Sequence, residues 1–428
     1  MKAHRTVPLI ALAVTGALTL AACGGGGGGG GGSESRGDIT IWYSNNEQEV
    51  AWGKQMVEAW NADHPDEQIT AQEIPAGKSS EEVIGAAITA GNAPCLIYNT
   101  APSAVGQFEK QGGLVDLSTF EDGASYIEDR SGDAASQYQN TEGDYFQMPW
   151  KSNPVVIFYN KDLFAEAGLD PENPELSTYD DFLATSKTLV DSGVAPSAIL
   201  PAPTSEFFQM QFDFYPLYAA ESDGAQLVED GTATFADTAG YDAAEFWATM
   251  YADGLSGQEQ YQGDSFADGQ AAMAIVGPWA VSVYEDVNWG SVPVPTKEGK
   301  PADEIYTFSD AKNIGLYSAC DNQATAWDVL KFSTSEEQDG QLLEMTGQMP
   351  LRADLQGTYA DYFEQNPAYQ AFGDQASRTV EVPPGPNTVQ MLQAFRDAWS
   401  DAVIFGKGDV KSALDEAATK IDEIAKQP

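Results

Sequence analysis

Few side chains in this 428-residue chain could serve as nucleophile, imidazole base or soft metal ligand: two histidines, His4 and His64, and three cysteines, Cys23, Cys95 and Cys320, against 65 acidic residues. His4 lies in an N-terminal leader, which leaves His64 in the turn NADHPD. A Ser-His-Asp or Cys-His centre would have to use it, and a turn histidine between acids reads as surface. One histidine and two further thiols are too few for a histidine or thiolate zinc site, so no metal is expected. DSFADG at 264–269 has the outline of a calcium loop, but it puts Phe266 at the third position and Ile275 where the closing glutamate belongs, and is rejected. No glycine-rich phosphate loop opens a helix after a strand, and no cofactor is expected. Counting leaves paired carboxylates open, the groups that hydrolyse glycosidic bonds, because so many acids offer many pairs.

The N-terminal end of the chain says where this chemistry would take place. Residues 1–22 carry Lys2, His4 and Arg5, then an apolar run from Val7 to Leu20, then Ala21 and Ala22, which is the layout of a secretory signal peptide. The run is shorter than the ~20 residues of a spanning helix, so no anchor made of protein is read there. Leu20-Ala21-Ala22-Cys23 resembles the bacterial lipobox, which implies that the mature chain begins at an acylated Cys23. Residues 23–37, glycine-rich and polar, then form a flexible tether reaching on the order of 20 Å. The remaining chain, from residue 38 onward, exceeds the roughly 250 to 300 residues at which single cores stop growing, so two domains are expected. A content of 42% hydrophobic and 11% aromatic residues suffices to fill them. The formal net charge is −44, more negative still once Lys2 and Arg5 leave, and such a surface repels nucleic acid and anionic headgroups. It favours a neutral or cationic ligand over an anionic one. By residue type alone, Cys95 and Cys320 are as readily a disulfide as two separate buried thiols.

Strand and helix alternate from the start of the fold. DITIWYS reads as a strand, and NNEQEVAWGKQMVEAWNADHP as a helix with Val50, Val57 and Trp60 near helical spacing and Met56 beside them, stopped by Pro65. QITAQEI (strand), SSEEVIGAAITAG (helix closed by Gly91), APCLIYN (buried strand) and APSAVGQFEKQGG (helix) continue the pattern, which argues for a parallel sheet covered on both faces. Further on, PVVIFYN and AAMAIVGPW read as buried strands, TFSDAKNIGLYSAC as a strand, and TYDDFLATSKTLVDSG, YDAAEFWATMYADG, NQATAWDVLKF and DVKSALDEAATKIDEIAKQ as helices. There is no internal repeat.

These pieces, in this order, resemble a known family. The lipobox and tether, the ITIWYS strand, AITAGNAPCLIY, GQFEKQGGLVDL, PWKSNPVVIFYNKDLFAEAGLDP, FADGQAAMAIVGPW, VPVPTKEG and KNIGLYS with TAWDVLKFSTSEEQ are similar to the extracellular solute-binding proteins of bacterial ABC sugar importers, the maltose-binding-like group. One departure is Cys95, which stands where the family's APD aspartate is usual. The resemblance implies an α/β fold of two lobes, periplasmic-binding-protein-like, with the ligand cleft between lobes joined by crossing hinge segments. By family pattern, residues 38–150 and 311–360 form the first lobe and 151–310 and 361–428 the second. Cys95 and Cys320 then share a lobe, side by side, which implies that they are bridged. The implied function is non-enzymatic: a monomeric receptor, lipid-anchored on the outer face of the cell membrane, that captures a sugar, a neutral oligosaccharide, and passes it to the permease subunits of an ABC importer. Two other readings compete, a lipid-anchored glycoside hydrolase using paired carboxylates and a surface adhesin.

Sugars present apolar ring faces and a belt of hydroxyls, so their sites pair aromatic platforms with amides and carboxylates. On that pattern Trp279, after the Gly-Pro turn, matches the family's stacking tryptophan, with a core tryptophan as the competing reading, and Asn153 in PWKSNP matches a polar cleft position. Trp150 either stacks on the ligand or packs the hinge. Glu47 after the first strand is a ligand contact or a helix-start carboxylate. Asn99 at the end of its strand, a ligand contact or a turn former, Asp310 in TFSDAKN and Arg352 in QMPLRADL complete the polar set, the last two competing with structural ion pairs. Phe208, in the phenylalanine-rich stretch APTSEFFQMQFDFYP, is expected near the cleft.

Overall fold

Strand formation in this chain takes two burial patterns, one-sided alternation and two-sided burial. The computed structural model describes residues 34–427 apart from 45, 46, 77, 78 and 384, and leaves out the side chain of Glu47; the leader, Cys23 and the glycine run lie outside the described residues. In chain order the strands are β1 (Ile39–Tyr43), β2 (Ile69–Glu73), β3 (Leu96–Thr100), β4 (Met148–Lys151), β5 (Val156–Asn160), β6 (Ser197–Ile199), β7 (Val228–Glu229), β8 (Thr232–Ala233), β9 (Ala271–Val276), β10 (Trp289–Val292), β11 (Thr307–Phe308), β12 (Lys312–Leu316) and β13 (Thr379–Val380). In β1, Ile39, Ile41 and Tyr43 are buried while Thr40 is exposed. In β5, Val156 to Tyr159 are all buried, as a strand covered on both faces requires.

The first sheet has the order β2-β1-β3-β12-β4. Its first three strands are parallel and joined by helices, α1 (Glu47–Asp63) and α2 (Ser80–Ala90), with α3 (Pro102–Lys110) following β3. The predicted boundaries of α2 hold for local reasons. The Ser79 hydroxyl accepts from the Glu82 N–H at 3.1 Å, and Gly91 ends the helix in the left-handed region at φ 68°. The expectation of a parallel sheet needs correction at the other edge, where β12 runs antiparallel to both β3 and β4. A parallel neighbour needs a crossover connection, and β12 arrives instead after an excursion through the second sheet. Ile41, Leu96, Tyr98, Ile314 and Leu316 form the core of this half with Trp52, Met56 and Trp60 of α1.

The second sheet has the order β10-β5-β9-β6, with β6 parallel to β9 and the other pairs antiparallel. One of its faces packs on Phe214, Tyr215, Trp247, Phe395 and Trp399 from surrounding helices. On its other face, Val156 and Phe158 meet Phe266, Tyr284, Phe363 and Phe372, joined by Leu343, Met349 and Leu355.

Cys95, just before β3, and Cys320, just after β12, are disulfide-bonded across these antiparallel neighbours, with Cα atoms 4.5 Å apart and 225 residues between them in sequence. The two-thiol alternative is thereby closed. Between the sheets three chain segments run side by side. The Ser152 N–H donates to Met349 O at 2.9 Å, Asp310 N–H to Asn153 O at 2.9 Å, Val155 N–H to Phe308 O at 3.1 Å and Leu351 N–H to Trp150 O at 2.9 Å.

Candidate ligand cleft

Where β3 ends, Ala101, Pro102 and Ser103 start α3, and the stretch Phe207–Phe212 faces them across a cavity of about 270 Å³. Its floor comes from the crossing segment and the chain after β13: Phe308, Asp310, Lys312 and Glu381. The phenylalanine stretch is a single 3-10 segment, Phe207–Phe212, and is held from behind. Arg396 donates from Nε to Thr204 O at 2.7 Å and from Nη1 to Asp213 Oδ2 at 2.6 Å, and Gln393 Nε2 donates to Ser205 O at 2.8 Å. The rings cross edge to face: Phe207 on Phe208 at 5.6 Å, Phe212 on Phe308 at 6.4 Å and Phe212 on Trp279 at 6.2 Å between centroids. Phe212 also lines a neighbouring cavity of about 260 Å³ with Gln209, Asp264 and Tyr284. Polar groups interleave with these rings. Lys312 Nζ donates to Asp310 Oδ1 at 2.7 Å, and although burial opposes the ammonium, the aspartate beside it holds its pKa above the usual lysine value.

Of the residues singled out from sequence, Phe208 and Asp310 line this one cavity. Phe208 is 44% exposed, unusual for so apolar a ring and suited to meeting a ligand from solvent. Trp279 follows β9 and is half-buried, its ring laid over Gly277, where an added Cβ would come within 1.9 Å of the indole. It adjoins the cavity through Phe212. Asn99 has φ 62°, an uncommon conformation for a residue with a side chain, two positions before Ala101; its Nδ2 donates to Ser44 Oγ at 3.4 Å and its buried Oδ1 has no hydrogen-bond partner among the described residues. Glu47 begins α1.

Three expected contacts are spent elsewhere. Trp150 is a core residue, with Trp52 and Tyr98 at 5.3 and 5.4 Å between ring centroids, so the packing alternative holds because β4 is buried on both faces. Asn153 uses its amide on the hinge: Nδ2 donates to Gln348 Oε1 at 3.2 Å and Oδ1 accepts the Met349 N–H at 3.2 Å. Arg352 donates to Asp339 Oδ2 at 2.6 Å and to Thr334 O at 3.2 Å, joining Arg130 in a buried ion cluster of the first half. Beside Asn153, the buried Lys151 ammonium donates to Glu49 and to Gln348 Oε1; burial pushes the Glu49 carboxyl up, but the lysine outweighs it and holds the pKa below the usual value. Sequence reasoning missed Phe212, Lys312 and Glu381. The phenylalanine-rich stretch pointed to the first, and an acid between Val380 and Val382 was a usable signal for the last.

Among the described residues no group of three or more His, Cys, Asp or Glu side chains is placed to hold a metal ion, and no helix is long and apolar enough to cross a membrane. A cavity walled by aromatic rings and floored by hydrogen-bonding groups can take an uncharged ligand with apolar faces and hydroxyl edges.

Residues 44–340 match the model of a family described as bacterial extracellular solute-binding protein. The chain is 27% identical to the galactooligosaccharide-binding protein of Bacillus subtilis, over 98% of this chain and 97% of that one, and 24% identical to the maltodextrin-binding protein MdxE of the same organism, over 79% of each. Among solved structures, the cyclic alpha-maltosyl-1,6-maltose binding protein of Arthrobacter globiformis superposes with a TM-score of 0.78 at 22% identity, covering 91% of this chain and 99% of that one. The sugar-binding protein MalE of Xanthomonas citri gives 0.72 at 19%, covering 91% and 97%. The two structures share this fold.

Proposed function

Because the chain belongs to the bacterial extracellular solute-binding proteins, a family of receptors and not enzymes, we propose that it captures a neutral oligosaccharide in the cavity between Ser103 and Phe208 and delivers it to the permease subunits of an ABC importer. The observation that carries this reading is the cavity itself, in which the rings of Phe207, Phe208 and Phe212 face the start of α3 and Glu81 over Asp310 and Lys312. Rings of this kind stack on the apolar faces of sugars, and paired polar groups satisfy their hydroxyls. Trp279, Phe208, Asn99 and Asp310 are the proposed ligand contacts, with Phe212 added to them. Capture closes residues 38–150 with 311–360 against the remainder, about the segments that cross near Asn153, Asp310 and Met349. The names of the two Bacillus subtilis relatives favour an oligosaccharide over other solutes.

Acylation at Cys23 would hold the monomeric receptor on the outer face of the cell membrane, and a glycine tether would keep it near its permease without fixing its orientation. The intact mass of the mature protein tests this, because an unmodified Cys23 rules it out.

A thermal-shift screen across mono- and oligosaccharides, with galacto-oligosaccharides and maltodextrins among them, tests the ligand class. A sugar bound only by the folded state raises Tm with concentration by mass action. Scattering of the same complex should show a smaller particle, whereas a hydrolase would consume the sugar and an adhesin would not contract.

A further inference from the structure

The chain just after β13 threads the junction between the two halves. β13 pairs in parallel with β11, and the next residue, Glu381, is grasped from several sides. Its N–H donates to Gln137 Oε1 at 3.0 Å, and its carbonyl accepts from Tyr215 Oη at 2.6 Å and Gln226 Nε2 at 3.3 Å. The side chain lies against the cavity and is almost wholly buried, the residue being 2% exposed. Oε1 accepts the Val382 N–H at 2.7 Å, and the Tyr138 hydroxyl stands 3.3 Å from Oε2. The titratable and charged groups around it are Tyr138 from the 3-10 turn Gly132–Tyr138, Asp310 and Lys312 from the crossing segment and β12, Tyr215 from the helix Phe214–Glu221, and Glu81 of α2 across the cavity. Lys312 is taken by Asp310, and among the described residues no ammonium or guanidinium forms an ion pair with Glu381.

Ionised, Glu381 would add a second negative charge beside Asp310 on a side chain almost wholly shielded from solvent. Protonated, it leaves the floor with one matched Asp-Lys pair and no net charge. Burial favours the second state and pushes the carboxyl up to about 8, against the opposing pull of the Val382 N–H and the Lys312 charge.

We propose that Glu381 is a specificity-determining residue of the cleft that works as a neutral carboxylic acid: it keeps the floor, opposite Glu81 on the far wall, free of unmatched charge, so that the floor accepts the hydroxyls of an uncharged ligand. Closure over a ligand removes the remaining water from the floor, so ligand capture holds the proton on Glu381 and weakens where the free protein has lost it. This inference rests on the sugar-receptor reading above.

The test measures the affinity for a galacto-oligosaccharide mixture and for maltotriose between pH 6 and 9.5, together with the Tm of the ligand-free protein, in wild type and in Glu381→Gln. The variant has nearly the same shape and cannot ionise. Wild-type affinity should be level below pH 7 and fall above pH 8 by up to about tenfold per pH unit, the limit for one linked proton. The variant, which cannot ionise, should keep a level affinity from pH 6 to 9.5, whatever its value at pH 6.5. In the ligand-free protein the sign also follows from the raised pKa. The folded state keeps a proton that the unfolded chain releases near its ordinary value of 4.5, so wild-type Tm should fall relative to the variant from there to about 8. If Glu381→Gln fails to fold, Tyr138→Phe provides the second arm: losing the hydroxyl beside the carboxylate should move the fall in affinity to higher pH. The inference is overturned if the variant keeps the wild-type pH dependence or if the ligand-free Tm curves coincide. Failure of both sugars to bind wild type at any pH overturns the receptor reading for these ligands, and this inference with it, whatever the ligand-free curves show.

Discussion

Arg396 and Asp213, both fully buried, meet at 2.6 Å through Nη1 and Oδ2, and the same guanidinium holds the carbonyl of Thr204. One ion pair therefore fastens both ends of the phenylalanine stretch that faces the cleft. Removing one partner of such a pair leaves an uncompensated charge in the core. Arg396→Met should cost about 3 to 5 kcal/mol in denaturant unfolding, and adding Asp213→Leu should recover a large part of it. A single variant as stable as the wild type would mean that water reaches Asp213.

The Cys95–Cys320 bridge closes a loop of 225 residues and ties the returning strand β12 to β3. By the chain-entropy estimate a loop of that size is worth about 5 kcal/mol. Unfolding with and without reductant should show a loss of that order, and Cys95→Ser with Cys320→Ser should reproduce it without reductant. Alkylation of the denatured, unreduced protein should label neither thiol.

Trp279→Ala should weaken sugar binding by about 1 to 3 kcal/mol, the scale for losing a large apolar contact. The ring is half-buried and meets Phe212 edge to face, so the ligand-free protein should lose less than the roughly 3 to 5 kcal/mol of an emptied core site. Calorimetry of binding, read against the melting temperature, separates these quantities. A mutant that melts far lower yet binds normally once folded would falsify the platform role.

Asn99 holds a left-handed φ of 62° and leaves a buried amide oxygen without a partner among the described residues. Glycine adopts that backbone freely, so Asn99→Gly should leave stability level or raise it by up to about 1 kcal/mol. Binding should weaken by about 0.5 to 1.5 kcal/mol if the amide reaches the ligand, the net worth of one neutral hydrogen bond. Unchanged affinity in the glycine variant would assign the strain to the turn into α3.

Much of this protein was legible from local pattern. Ser79 and Gly91 mark the ends of α2, the alternating and continuous apolar runs mark β1 and β5, and both act over a few residues of contiguous chain. The pairing of Cys95 with Cys320 was open from residue type and came within reach only through resemblance to a family. The cleft was legible in part. Phe208 and Asp310 line one cavity, with Asp310 also in an ion pair with Lys312. Trp150 and Asn153, close together in the motif that pointed to the site, are spent on core and hinge: Trp150 sits in a strand buried on both faces, and Asn153, just past that strand, gives its amide to Gln348 and Met349 of another crossing segment. Composition and periodicity determined most of the elements. The direction of β12, the placing of Glu381 against Tyr138 and Asp310, and the meeting of Phe212 with Trp279 were decided only by tertiary structure. Each joins segments tens to hundreds of residues apart, and side-chain burial in the assembled fold, which no local pattern encodes, chooses which polar groups face the cavity and which are consumed holding it together.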